Sequence, residues 1–194
     1  MSLDKKRCRI CKGKFFPHNS INYKNMPSAA QNFPNKNNLN KDKGINLIIY
    51  QCSNCGVVQL INKPVEYYRE VIRSSAFSSE MLKFRTLQFK KIIKKYNLKG
   101  KKIIEIGSGY GEYLSILNNL KLQTSGLEFS NKGVRVSRKK NLNVSQGYID
   151  KIQYKLDKAP FDAFFIFSYL EHLPNINTVL KALNRNLNKN GIGI

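Results

Sequence analysis

Residues 103–111 read Ile103-Ile104-Glu105-Ile106-Gly107-Ser108-Gly109-Tyr110-Gly111. A short β-branched run carries an acid, Glu105, two places before the first of three glycines at alternate positions, Gly107, Gly109 and Gly111. Tyr113, Leu114, Ile116, Leu117 and Leu120 then recur at helical spacing. The order predicts a buried strand, a tight turn, and a helix whose N-terminus faces a ligand. Glycine is needed where the backbone takes positive φ or must approach a ligand without a Cβ in the way. The spacing is Gly-x-Gly-x-Gly, not the Gly-x-Gly-x-x-Gly of a dinucleotide site. An acid this close to the first glycine favours a ligand other than a pyrophosphate there. The competing reading is an ordinary glycine-rich turn between strand and helix.

Working outward, strands are expected at 102–106, 123–128, 143–146 and 162–167, and helices near 111–120, 131–141 and 175–188. Alternating strands and helices with short links predict a parallel sheet covered on both faces, an α/β fold. Leu187 to Gly191 reads as the end of the last helix and Ile192 as the opening of a fifth strand, so the sheet is expected to be truncated inside that strand. Upstream, Met81, Leu82, Phe84, Leu87, Phe89, Ile92, Ile93 and Tyr96 fit an amphipathic helix over 79–97. Pro64 to Tyr68 reads as a linker into it.

Polar residues fall where such a sheet binds ligands, beyond the carboxyl ends of its strands. Ser125-Gly126-Leu127 leads to Glu128, whose carboxylate is placed to accept two hydrogen bonds from a ribose diol, with Phe129 against an adenine face. The alternative for Glu128 is a charge at a helix N-terminus, since Ser130 and Asn131 look like caps. The run Phe161 to Ile166 delivers Phe167-Ser168-Tyr169-Leu170-Glu171-His172-Leu173-Pro174 to the same edge. Together with the glycine turn these segments resemble the motifs of class I S-adenosylmethionine (SAM) methyltransferases. The resemblance implies a Rossmann-like fold with SAM as cofactor. Glu105, Gly107, Ser108, Gly109 and Gly111 would hold the methionine end, and Glu128 and Phe129 the nucleoside. Gly147, Tyr148 and Ile149 would stand at the adenine edge, where many such enzymes have an aspartate and this chain's Asp150 is displaced. Ser168 and Tyr169 would face the acceptor. His172 suits proton transfer near neutral pH; a structural histidine beside the pocket is the other reading.

All four cysteines lie near the amino terminus, as Cys8-x-x-Cys11 and Cys52-x-x-Cys55. Two such turns supply a closed tetrahedral thiolate shell suited to structural Zn²⁺ and leave no open position for catalysis. Gly13 and Gly56 follow each second cysteine as tight knuckles require, and Lys5, Lys6, Arg7, Arg9 and Lys12 favour thiolates around Cys8. Disulfides are the alternative, disfavoured in a reducing compartment. The insert from Lys12 to Gln51 is rich in Asn, Lys and Pro and is expected to be irregular up to a strand over Ile45 to Cys52; Val57 to Leu60 reads as the strand that leaves the second knuckle. His18 reads as a surface or loop histidine rather than a fifth ligand.

Three regions result: 1–64 as a zinc-binding domain, 65–100 as a helical linker and substrate lid, and 101–194 as the SAM-binding domain. The formal charge is +22, from 34 Lys+Arg against 12 Asp+Glu. That charge fits an anionic acceptor, although Lys, Asn, Ile, Tyr and Phe also share A/T-rich codons. No apolar run has the length of a membrane span, and residues 1–20 lack a signal-peptide core, so a cytoplasmic protein is expected.

From Cys8 onward the chain resembles the zinc-binding C-methyltransferases that act on nucleotide-linked deoxyketosugars. The matched order is Cys8-Arg9-x-Cys11, then Cys52-x-x-Cys55-Gly56 with Val57-Val58-Gln59-Leu60, then the SAM motifs. The resemblance implies methyl transfer to carbon, or in relatives oxygen, of a small anionic or sugar-nucleotide acceptor. Those enzymes carry Tyr-x-x-Tyr-His in the linker, where this chain has Glu70-Val71-Ile72-Arg73-Ser74-Ser75. An RNA methyltransferase, with nucleic acid as partner, and a non-catalytic SAM-fold module are the rival readings.

Overall fold

The computed structural model describes residues 6–29, 31, 33–69 and 78–194. Lys5 and the linker segment from Glu70 to Ser75 lie outside the described residues. Contacts divide the chain into two units, Met1–Val71 with Pro174–Asn177 and Ile72–Leu173 with Thr178–Ile194.

The first unit is built on a three-stranded antiparallel sheet of β1 (Phe15–Met26), β2 (Ile45–Cys52) and β3 (Val58–Leu60), in that order. β1 corrects the expectation of an irregular insert. Its pairing partner is distant in sequence: Ile21 lies opposite Ile49 and Tyr23 opposite Leu47. The register shifts between Phe15 and Ser20, the stretch that contains Pro17. A proline has no N–H for a ladder and is tolerated at such an irregularity. His18 is exposed, at a surface position on β1. The insert also holds a 3₁₀ turn, Lys36–Lys41, capped by the Asn35 side chain on the Asn37 N–H.

The second unit carries a five-stranded parallel sheet of β4 (Lys102–Ile106), β5 (Gln123–Glu128), β6 (Val144–Gln146), β7 (Phe161–Ile166) and β8 (Leu187–Gly193), in the order β6-β5-β4-β7-β8. Its helices are α1 (Ser79–Lys95), α2 (Glu112–Asn119), α3 (Asn131–Lys139) and α4 (Ile176–Arg185). The β4-α2-β5 and β5-α3-β6 crossovers step one way from the central strand and β7-α4-β8 steps the other. Right-handed connections therefore put α2 and α3 on one face and α4 on the opposite face.

β4 sits at the centre, paired to β5 and β7, and Ile103, Ile104, Glu105 and Ile106 are all buried. The core on the α1–α2 side gathers Phe89, Ile103, Tyr113, Ile116, Leu117, Ala163 and Phe165. A smaller cluster of Leu114, Val134, Leu142 and Val144 seats α3. No helix among the described residues is long and apolar enough to cross a membrane.

The chain's last elements differ from the sequence expectation. α4 stops at Arg185, and β8 begins at Leu187 rather than Ile192. Asn186 causes the change. Its backbone N–H bonds Leu183 O, its carbonyl accepts from Phe161 N–H, and Leu187 is thereby laid opposite Phe161. The ladder skips before Ile192 resumes pairing opposite Ala163. The irregular stretch between β6 and β7 is fastened by the same residue: Asn186 Oδ1 accepts from Leu156 N–H at 2.8 Å, and Nδ2 donates to Tyr154 O at 2.8 Å and Ala182 O at 2.7 Å.

Candidate functional sites

The glycine turn leaves β4 and enters α2 with positive φ at Gly107 (69°), Gly109 (58°) and Gly111 (78°). Backbone bonds hold its shape. Gly107 and Ser108 both donate to Leu127 O, and the Gly111 N–H bonds Ser108 O. Ser108 is wholly buried, its Oγ turned toward the space above Gly126. A Cβ on Gly111 would strike Leu142, and one on Gly107 would lie 3.0 Å from the Tyr169 ring. Glu105 is fully buried beneath the turn.

Glu128 stands at the end of β5. Its Oε2 accepts from Gly109 N–H at 2.8 Å and its Oε1 from Ser130 N–H at 2.8 Å. Glu128 thus ties the start of α3 to the glycine turn, while Ser130 Oγ caps α3 at Gly133 N–H. A carboxylate offers about four lone-pair positions. Two accept protein N–H groups, which leaves capacity for a diol. Phe129 packs edge-on against Tyr148, ring centroids 6.1 Å apart, and Ile149 is buried beside them. Gly147 donates to Glu128 O, so the loop after β6 is tied to the same strand end.

At the end of β7, Ser168 has φ 48°, a left-handed conformation rare outside glycine. This backbone turn swings Tyr169 over Gly107 and starts the 3₁₀ turn Leu170–His172. His172 Nε2 lies 4.0 Å from Glu171 Oε1, and its side chain is 36% exposed. A partly open imidazole can exchange a proton with a small molecule.

Two glycines that the motif reading passed over complete the geometry. A Cβ on Gly133, inside α3, would lie 2.8 Å from Gly109 O and 2.9 Å from Glu128 Cγ. One on Gly126 would press on Ser108 and Leu114. A glycine inside a helix, against its propensity, was the available signal.

In the first unit, the four cysteine sulfurs lie within 4.8 Å of one another, and all four cysteines are free thiols. Cys8 and Cys55 are 3.7 Å apart and Cys11 and Cys52 3.4 Å apart. A tetrahedron with ~2.3 Å zinc–sulfur bonds has edges of about 3.8 Å, so the donor set fits Zn²⁺. N–H groups already point at the sulfurs: Ile10 to Cys8, Gly13 to Cys11 and Asn54 to Cys52, each at 3.4 Å. Gln59 Nε2 donates a hydrogen bond to Cys8 Sγ at 3.2 Å and its Oε1 accepts from Arg9 N–H, which gives the Gln of the Val-Val-Gln-Leu run a place at the cluster.

The Cys11 thiol is held down to about 6, chiefly by the Asn54 hydrogen bond and then by Gly13 N–H. Cys55 is pushed up to about 12: the Val57 N–H pulls it down, but desolvation and the Cys11, Cys52 and Cys8 sulfurs outweigh that. Crowded thiolates of this kind call for a cation. In the knuckles the left-handed residues are Lys12 (φ 61°) and Gly56 (φ 73°). Gly13 serves space instead, since a Cβ there would sit 2.8 Å from that of Asn54.

Comparison with known proteins agrees with the fold. Residues 104–194 match a family model described as "Methyltransferase domain". No curated protein sequence matches the chain. Among solved structures, an S-adenosylmethionine-dependent methyltransferase from Clostridium acetobutylicum ATCC 824 is similar at 15% identity and TM-score 0.50, over 65% of this chain and 52% of that one. The glycopeptide N-methyltransferase MtfA complexed with sinefungin gives 17% identity and TM-score 0.48, over 55% and 50%. Streptomyces venezuelae DesVI gives 16% identity and TM-score 0.48, over 59% and 50%. The chain spans about half the length of these structures. Residues 104–194, just under half of the chain, therefore match a methyltransferase domain by sequence and have the Rossmann-like α/β methyltransferase fold on a parallel sheet, in a chain that also carries a four-cysteine cluster compatible with a small zinc-binding region.

Proposed function

We propose that this chain transfers a methyl group from SAM to a carbon or oxygen of a small sugar-like acceptor, nucleotide-linked or phosphorylated, in the biosynthesis of surface glycans. One observation carries the reading. A single glycine turn touches Glu128 through Gly109 N–H and the Tyr169 ring through Gly107, so cofactor-type and acceptor-type residues from three strands meet on one loop. Residues 101–194 act as the SAM-binding domain, 65–100 as linker and lid, and 1–64 as a zinc-binding domain in the reducing cytoplasm. Zn²⁺ held by Cys8, Cys11, Cys52 and Cys55 supplies folding energy, not catalysis.

SAM, when bound, supplies an activated methyl group on a sulfonium. The protein's part is alignment and proton handling. Glu105 and the Gly107–Gly111 turn hold the amino-acid end. Glu128 accepts the ribose hydroxyls, and Phe129, Tyr148 and Ile149 with Gly147 border the adenine. Ser168 and Tyr169 orient the acceptor, and the His172 imidazole takes the proton that the acceptor gives up.

A second reading, methylation of RNA, is favoured by the outer face of α3. Lys132, Arg135, Arg138 and Lys139 are exposed there with no acidic partner among the described residues, and Tyr110 lies under Lys132 Nζ at 5.9 Å from the ring centroid. Incubation of the chain with SAM and pools of sugar nucleotides, followed by mass spectrometry, tests the proposal. A gain of one methyl on a sugar nucleotide, with an apparent KM that rises with salt, is the expected result. Methylation of purified RNA and of no sugar nucleotide overturns the substrate assignment.

A further inference from the structure

The outer face of α1 has no part in the proposed site. The helix is fixed by its inner face, where Phe89, Ile92 and Ile93 pack into the core on the α1–α2 side. Turning the helix to cover other side chains would expel Phe89, which is wholly buried. Met81, Phe84 and Leu87 follow one another at intervals of three residues and are 38%, 57% and 60% exposed. Single exposed apolar residues are ordinary, but a contiguous apolar stripe along a fixed helix marks an interaction surface.

The same face is strongly basic. Lys83 stands one turn before Leu87, and Lys90, Lys91 and Lys94 follow it at the spacings that put side chains on one side of a helix. Lys95 comes next, its Nζ over the Tyr96 ring at 5.0 Å from the centroid. All five lysines are exposed, and none forms an ion pair among the described residues. The one acid of the helix, Glu80, lies in its first turn, where it accepts from Ser79 Oγ at 3.1 Å. An apolar stripe bordered by lysines is the pattern of a helix that lies in a membrane interface, its ammonium groups among anionic headgroups.

We infer that the outer face of α1 is a docking surface for an anionic lipid bilayer. Phe84 and Leu87 enter the boundary between headgroups and acyl chains, while the lysine stems lie along the surface and carry their charges back to the lipid phosphates. No helix among the described residues is long and apolar enough to cross a membrane, and the contact is peripheral. The chemistry of the face selects this occupant. A nucleic-acid strand would stack a base on Phe84 but leave Met81 and Leu87 in water. A second copy would bring five lysines against five, and like charges across a contact repel.

Co-sedimentation of the full chain with vesicles tests it, using phosphatidylcholine alone and phosphatidylcholine with phosphatidylglycerol in equal parts. The chain should pellet with the anionic vesicles, less so as salt rises, and stay free of the neutral ones. Three variants locate the contact, all at exposed positions where folding is not at stake. The triple change Lys90→Gln, Lys91→Gln and Lys94→Gln should weaken binding about 100-fold, at about fivefold for each lysine at the surface. The double change Phe84→Ser and Leu87→Ser should weaken it about 10-fold or more while net charge is kept. Lys36→Gln, Lys43→Gln and Lys63→Gln together remove the same charge from the first unit and should cost far less. Equal losses in the two lysine variants would assign the binding to diffuse net charge and overturn the inference. So would equal binding to neutral vesicles, no binding of the wild type to anionic vesicles at low salt, or wild-type binding by the serine variant. Binding of duplex RNA, but of no vesicle, that is lost in the α1 lysine variant would make the face a nucleic-acid surface. A dimer in sedimentation equilibrium that the serine variant abolishes, again without vesicle binding, would make a second copy the occupant. Either result overturns the bilayer assignment.

Discussion

Asn186→Leu removes a single side chain that fastens three backbone groups, and the structure gives the size of the effect. Asn186 is 5% exposed, and its amide joins the end of α4 to the stretch between β6 and β7. Three hydrogen bonds at 2.7–2.8 Å are lost. At about 0.5–1.5 kcal/mol net each, these amount to roughly 1.5–4.5 kcal/mol. Leucine has the same branched outline with bulkier methyl groups and cannot accept from Leu156 N–H, and Leu156 is itself 2% exposed. Leaving that donor without a partner adds about 1–3 kcal/mol, partly offset by the burial of two methyl groups. A net loss of about 3–5 kcal/mol is expected. Urea unfolding followed by circular dichroism should show a lower midpoint at unchanged slope. Asn186→Asp is the companion variant. It keeps an acceptor for Leu156 N–H but turns an oxygen toward the carbonyls of Tyr154 and Ala182, so its defect should shrink as pH falls and the carboxyl regains a donor. A loss below about 1 kcal/mol for the leucine variant, or a pH-independent aspartate variant, would refute the reasoning. Because Gly147, Tyr148 and Ile149 begin the same stretch, adenosyl-ligand affinity should fall along with stability.

Four further outcomes are expected. Gly133→Ala, which in a free helix gains about 1 kcal/mol, should instead destabilise by roughly 1–3 kcal/mol, because its Cβ would press on Gly109 O and Glu128; a stabilised variant in thermal melting would contradict the packing. Glu128→Ala should weaken S-adenosylhomocysteine binding by about 1.5–3 kcal/mol and lower stability as well, since Gly109 and Ser130 lose their acceptor; calorimetry that gives wild-type affinity would remove Glu128 from the site. Asp162 is shifted below its ordinary 3.8: desolvation raises it, but Lys102 N–H, the Asn188 amide and the charges of Lys101 and Lys102 prevail. Its contribution is then present above that value and lost as pH falls below it, so the stability gap between wild type and Asp162→Asn should be widest near neutrality and close in acid; a gap that widens in acid would reverse the sign. Cys52→Ser should abolish zinc retention and unfold the first unit more than the parallel sheet, and Gln59→Leu should weaken retention about 10-fold, both read by elemental analysis and chelator competition; a metal content unchanged by both would show that the sulfurs do not hold it.

What the sequence made legible was local. A β-branched run, alternating glycines and a helical repeat from 103 to 120 are one strand–turn–helix, and the bounds expected for β4 and β5 match those observed. The cysteine spacing likewise announced a cluster, because each knuckle is a short-range turn. The elements misread are those whose reason lies far along the chain. β1 carries Asn, Lys and Pro and looks like a loop until β2 supplies its partner thirty or so residues later, as pairing can override propensity. β8 looked like a helix end because Leu187 to Gly191 has no strand alternation; it is a strand because Asn186 leaves α4 to close the stretch before β7. Gly133 stands out in sequence only as a glycine inside a helix, and the carbonyl of Gly109 and the side chain of Glu128 explain it. In each case the deciding contact closes a long loop, so composition and periodicity carry no trace of it. The same contacts shape the site. The glycine turn owes its form to Leu127 and Glu128 on the next strand, and the stretch after β6, which begins with the proposed adenine edge, is tethered through Asn186 just past the end of α4. Substitutions at these joints should therefore lower stability and adenosyl-ligand affinity together.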